Sequence, residues 1–255
     1  MLLDFLSKFI QGLPDLFVWL GLASVGTVEG ESSVVYNNAG ALALYLICLI
    51  SCVAILPYLL GSVSVPRFYC KKVVGIDVYK LGTQRGELGD VWKYVGKKHA
   101  IACWALEILK IMLCMAFGFF AMGEDGADGA AIAAFFCLLG DVLPIWHKMR
   151  GTRGFETAAI CTLILDPLTF AILLVIYLIV LIGMRYSTTA RVFPTLLYPL
   201  IASAFLMNPN PTAVLISVGV VAVLMFSHWK NIQAMFNREE PRLEFKKKKQ
   251  TEEEE

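Results

Sequence analysis

Four short stretches of this chain collect the residue types that hold anions or move protons. In the stretch from 140 to 157, Arg150 and Arg153 flank Gly151 and Thr152, and Gly154 directly precedes an apolar helix expected over 155–165. Two guanidinium groups, glycine N–H groups and the positive end of a helix dipole then face one place, a combination that binds phosphate or carboxylate. The alternative is that both arginines reach to lipid headgroups. The stretch 66–99 sets Gly75, Gly82, Gly86, Gly89 and Gly96 among Lys and Arg residues. It is either a loop whose N–H groups approach an anion closely or a flexible basic connector. RYSTTAR, 185–191, offers hydroxyls at Ser187, Thr188 and Thr189. In SHWKN, His228 and Asn231 are three apart and share a helix face just after an apolar run. A histidine exchanges a proton near neutral pH and an asparagine orients it or a substrate; a histidine merely placed at the membrane surface is the competing reading. His99 and His147 lack such a partner. Glu107 and Lys110, three apart inside an apolar run, pair either for function or to fix helix packing.

These residues must be positioned by membrane helices. The chain has 255 residues, 58% hydrophobic and 17% charged, with a mean hydropathy of +0.67. Soluble domains carry about 25% charge, so a water-facing surface does not account for this composition. A net charge of +1 with no extended basic face excludes a nucleic-acid binder. The seven cysteines lie mostly within apolar runs, their number is odd, and no histidine stands beside Cys48 and Cys52. They are read as packing residues, with neither a disulfide framework nor a metal site.

Apolar runs at 41–65 and 100–122 have the length of a membrane span, and 130–146, 192–207 and 212–227 are shorter candidates. The run 155–183 is broken by Asp166-Pro167 into two helices; the first, about 16 Å long, is half-length. Charge supports this hairpin. With it, 66–99, 147–154, 184–191 and 228–255 fall on one side and hold 20 of the 22 Lys and Arg residues. The opposite side has none and carries Glu29, Glu31, Glu124, Asp125, Asp128 and Asp166. The expectation is an all-α polytopic membrane bundle of about seven transmembrane segments, some short or broken, with the four polar stretches and the carboxyl end cytoplasmic. Residues 1–40 are expected to form an interfacial segment and a non-cytoplasmic loop, without a cleaved signal peptide, an eighth span over 5–24 with Lys8 inside being the alternative that charge also permits; 41–237 the membrane domain; and 238–255, ending in EFKKKKQTEEEE, a charged cytoplasmic tail.

From about 55 to 237 the chain resembles the bacterial acyl-phosphate-dependent glycerol-3-phosphate acyltransferases of the PlsY type. The likeness runs through LLGSV at 59–63, GIDVYKLGT, YVGKK, LEILK, GDVLP, RGTRGFET, LDP, RYST and HWKNI. It implies a seven-helix membrane enzyme with a cytoplasmic site that moves an acyl chain from acyl phosphate to the 1-hydroxyl of glycerol 3-phosphate, giving lysophosphatidic acid without acyl-CoA, metal or other cofactor. It further implies a cell (inner) membrane location and, as partners, acyl phosphate, glycerol 3-phosphate or a related polyol phosphate, and membrane lipid. The family's first motif, K-x-G-S-G-N-x-G-A-T-N, falls on Lys80 to Asp90, so Thr83 takes its serine and Lys93 an arginine further on. Arg150 and Arg153 take the two lysines of the second motif, with Gly151 and Gly154 retained. Thr188 takes a serine of the third, and His228 and Asn231 match outright.

By this resemblance Lys93, Arg150 and Arg153 hold phosphate, N–H groups around Gly82 and Gly154 stabilise charge at the reacting carbonyl, and His228 with Asn231 handles the attacking hydroxyl. Thr83 hydrogen-bonds rather than attacks. Departures fall inside the motifs. Gln84, Arg85, Glu87, Gly89 and Asp90 replace Gly, Asn, Gly, Thr and Asn; Tyr79 stands for Arg, and Asp141 for His. Glu87 and Asp90 add negative charge where phosphate is expected, so either Arg85 neutralises them or the acceptor differs. The rival readings are a non-catalytic lipid-binding homologue and a small anion transporter.

Overall fold

The computed structural model describes residues 14, 18, 23–28, 31–36, 39–147, 149, 151–184, 186–205 and 211–237. After a hairpin of β1 (Ala23–Val28) and β2 (Glu31–Tyr36) the chain is helical: α1 Ala39–Gly61, α2 Val65–Tyr69, α3 Leu88–Tyr94, α4 Lys97–Met122, α5 Gly126–Val142, α6 Phe155–Leu165, α7 Pro167–Met184, α8 Ser187–Phe205 and α9 Pro211–Phe236. The protein is a multi-pass membrane bundle. Among the described residues, four helices are long and apolar enough to cross a bilayer, within α1 (40–61), α4, α7 and α9 (212–233). Only 6% of the α7 span is buried inside the molecule, so its apolar surface is left to lipid.

The hairpin departs from the loop expected over 24–40. Its strands pair antiparallel with Ala23 opposite Tyr36 and Val28 opposite Glu31. Valine recurs in both strands, with Thr27 and Tyr36 beside it, a composition that favours extended backbone. Most of residues 1–22, the expected interfacial segment, and the tail from 238 lie outside the described residues.

The helices over 155–184 show how sequence sets a break. Asp166 ends α6 and begins α7: its Oδ1 accepts from the N–H groups of Leu168 and Thr169 at 3.1 and 3.2 Å, and its Oδ2 accepts from the Thr169 hydroxyl. With Pro167 at the first helical position, where no N–H is needed, Asp-Pro starts the second helix as firmly as it stops the first.

Packing is tightest among α1, α4 and α5. A methyl group on Gly118 would strike the Gly129 carbonyl and one on Gly129 the Gly118 carbonyl, so α4 and α5 cross backbone to backbone. This close approach is how helices associate where lipid removes the hydrophobic drive. Ile111, Cys114, Ala134 and Cys137 fill the seam, and the cysteines serve as small apolar residues.

Candidate active site

Three of the four polar stretches, 66–99, 140–157 and 185–191, line one cavity of about 330 Å³. Glu87, Glu107, Asp141, Thr152, Arg153, Glu156 and Arg191 are its polar lining; Phe170, Leu173, Leu174, Val220 and Leu224 are among its apolar lining. The polar groups come from α4, the loop before α3, the end of α5, the start of α6 and the first turns of α8. None of these elements places them alone.

The 151–157 loop is held by Asp141. Its Oδ2 accepts from the hydroxyls of Thr152 and Thr157, both at 2.6 Å, and its carbonyl accepts from the Thr152 N–H at 3.1 Å. Gly151 lies against the same carbonyl, with no room for a Cβ. Gly154 caps α6 at φ +73 and donates its N–H to the Thr152 hydroxyl at 3.1 Å; a side chain there would be strained and would strike Val142. The Ser227 hydroxyl on α9 donates to the Arg153 carbonyl at 2.7 Å, joining this loop to the helix that carries His228.

Arg153 meets Glu87 at 3.3 Å. Burial raises the Glu87 carboxyl above its usual value, and Arg153 and Arg191 pull it back. Burial likewise lowers Arg153, with Glu87 opposing and Arg191 and Arg85 adding to the shift. The pair is therefore a desolvated contact whose partners are held by each other.

The 77–94 loop is built differently. Asp77 pairs with Arg67 at 3.4 Å and accepts the Tyr79 N–H at 3.2 Å. Asp90 is buried and accepts from Thr83 twice, from its N–H at 3.2 Å and from its hydroxyl at 2.5 Å. Gly82, at φ +50, has the Asp90 carboxylate where a Cβ would stand. Thr83 is exposed, and Lys93 is exposed with its ammonium 5.3 Å from the centre of the Tyr94 ring. Neither lines the cavity.

His228 is 3% exposed and lies one turn beyond the cavity-lining Leu224. Its Nδ1 stands 3.0 Å from the Leu224 carbonyl. A carbonyl only accepts, so Nδ1 carries the proton, and in the neutral ring Nε2 is a bare acceptor. Nε2 is buried without a hydrogen-bond partner among the described residues. Asn231 is half-buried one turn on, Thr188 is buried near the start of α8, and Arg85 is half-buried in the first loop. Arg150 lies outside the described residues.

Glu107 pairs with Lys110, whose ammonium also reaches the Val63 carbonyl at 3.4 Å. Sequence reasoning passes over Arg191. Its signal is its place three residues after Thr188 and four before Thr195, on the α8 face that brings Arg191, Pro194, Thr195 and Tyr198 to the cavity.

A family profile described as glycerol-3-phosphate acyltransferase matches residues 51–238. The chain belongs to that family. It is 33% identical over 204 residues to the glycerol-3-phosphate acyltransferase of a Vibrio cholerae serotype O1 strain, covering 79% of this chain and 94% of that one. It is 27% identical over 191 residues to the enzyme of the same name from a Thermoanaerobacter strain, covering 74% and 93%. Crystal structures of PlsY (YgiH), an integral membrane glycerol 3-phosphate acyltransferase, share its fold. The glycerol 3-phosphate form aligns at a TM-score of 0.64 and 21% identity, over 76% of this chain and 96% of that one. The lysophosphatidic acid form aligns at 0.65. The β-hairpin precedes the family match.

Proposed function

We propose that this protein makes lysophosphatidic acid by moving an acyl chain from acyl phosphate to the 1-hydroxyl of glycerol 3-phosphate. One observation carries the reading beyond family membership: a single cavity is lined by Arg153, Arg191 and the start of α6, set among the carboxylates Glu87, Glu107, Asp141 and Glu156, and by the apolar side chains of Phe170, Leu173, Leu174, Val220 and Leu224, a mixture that suits a phosphate joined to an acyl chain. The 1-hydroxyl oxygen bonds to the acyl carbonyl carbon, the carbon–oxygen bond to phosphate breaks, and inorganic phosphate leaves with that bonding pair. The hydroxyl proton passes to a base.

In this reading Arg153, with Arg150, holds phosphate. The start of α6 just after Gly154, and the tight turn at Gly151, shape the anion pocket. The 77–94 loop, with Gly82, Thr83, Arg85 and Lys93, borders its mouth. His228 supplies the buried acceptor Nε2 and Asn231 and Thr188 orient the polar groups around it, while proximity of two bound reactants supplies much of the rate. The polar lining belongs to the side rich in Lys and Arg, which is the cytoplasmic side of the cell membrane. Residues 41–237 form the catalytic unit and 238–255 its cytoplasmic tail.

The test is purified protein in lipid nanodiscs with palmitoyl phosphate and labelled glycerol 3-phosphate. Labelled lysophosphatidic acid is expected from wild type, with output reduced in His228→Ala. No product from wild type overturns the proposal and leaves the non-catalytic lipid-binding reading; anion flux into sealed vesicles, abolished by Lys110→Met, supports transport instead.

A further inference from the structure

The family resemblance draws its phosphate-binding cations from Lys93, Arg150 and Arg153. The structure turns Lys93 outward onto Tyr94 and ties Arg153 to Glu87 at 3.3 Å. Arg191 differs from both. It lines the cavity beside Arg153 and Gly154, and among the described residues no carboxylate lies within ion-pair distance of it.

Its guanidinium is nevertheless held. Its central carbon stands 5.9 Å from the centre of the Phe155 ring, and Phe155 is the first residue of α6. The contact is a cation–π attraction, and among the described residues no side chain takes the guanidinium N–H groups in an ion pair. The backbone beneath is also fixed: Pro194 has no N–H for the Ala190 carbonyl, and the Thr195 hydroxyl donates to the Arg191 carbonyl at 2.8 Å. A guanidinium held against Phe155 at the start of α6, without an ion-pair partner among the described residues and lining an amphipathic cavity, suits a phosphate taken in two parallel hydrogen bonds.

We infer that Arg191 is a phosphate-binding residue of this site, receiving the monoester phosphate of the acceptor or the phosphate of the acyl donor, while Arg153 is shared with Glu87. This rests on the cavity being an acyltransferase site, and names a cation in it that neither the family motifs nor the sequence pattern assigns.

The test uses the full chain in nanodiscs, wild type against Arg191→Gln. Calorimetric binding of glycerol 3-phosphate and of palmitoyl phosphate is measured, together with KM and kcat for each. Loss of a bidentate charged contact is expected to weaken binding about tenfold or more and to raise KM while kcat changes about threefold or less. A rise confined to glycerol 3-phosphate places the acceptor's phosphate on Arg191, and one confined to palmitoyl phosphate places the donor's; either supports the inference. Affinities within twofold of wild type in a variant with an unchanged melting temperature overturn it, as does a fall in kcat alone. Should Arg191→Gln not fold, Arg191→Lys carries the test: a lone ammonium is expected to weaken binding about threefold or more, and wild-type affinity overturns the inference. Calorimetry is read without turnover, so wild type that binds glycerol 3-phosphate through Arg191 but makes no lysophosphatidic acid refutes the acyltransferase reading alone. Turnover indifferent to Arg191→Gln refutes this inference alone, and wild type that binds neither compound overturns it.

Discussion

Two loops of this protein use the same device to different ends. In each, a buried aspartate accepts hydrogen bonds from threonine: Asp90 from Thr83, and Asp141 from Thr152 and Thr157. Asp141 sits at the end of α5 and draws the 151–157 loop down, which leaves Arg153 and Gly154 facing the cavity. Asp90 sits in α3 and draws Gly82 and Thr83 onto its own carboxylate, so that the N–H and hydroxyl are consumed internally and the loop carries no open anion site there. A threonine and a glycine in a basic loop do not make a phosphate site; what matters is whether a carboxylate of the same chain has already taken their donors.

The comparison breaks most visibly at Arg153. Arg153→Ala removes a cavity cation and strands Glu87 in a desolvated position, and acyl transfer is expected to fall about a hundredfold or more, measured as lysophosphatidic acid formed per minute. Asp141→Ala comes next. It leaves the Thr152 and Thr157 hydroxyls without their acceptor, at a cost of about 2–3 kcal/mol, and it frees the 151–157 loop, so both melting temperature and turnover are expected to drop. In the other loop the sign reverses. Asp90→Asn withdraws a negative charge from the Gly82–Thr83 turn, the change that makes the chain more like its family; affinity for glycerol 3-phosphate is expected to rise about threefold, read by calorimetry, and a fall would show that Asp90 positions the loop for catalysis instead. Lys93→Met is expected to have the smallest effect, with KM within about twofold of wild type, because an exposed cation stacked on Tyr94 is screened by solvent. A tenfold loss there would mean that the loop folds inward when substrate binds.

Much of the architecture was legible in the sequence because lipid enforces it. Apolar length and the Asp166-Pro167 break are local or compositional features, and backbone groups in hydrocarbon leave helices few alternatives; the Gly118–Gly129 crossing emerged only from the packing of α4 on α5. The hairpin at 23–36 was not legible, since short runs of valine mixed with serine, glycine and glutamate read equally as a polar connector. Within the site, Arg153 and Gly154 were visible because a short glycine-flanked turn before a helix has one geometry to offer. Arg191 was hidden in an ordinary helix start, and its meaning depends on Phe155, a residue from another helix.

The sequence by itself determined that this is a membrane bundle, where its helix break falls, and which stretches are polar and basic, because hydropathy, proline and charge act along the chain. Only the tertiary structure decided which donors and cations remain open. Asp90 closes one loop, Glu87 takes Arg153, and α8 delivers Arg191 to the cavity, and each of these depends on the distance between groups brought together by packing rather than on their order in the chain.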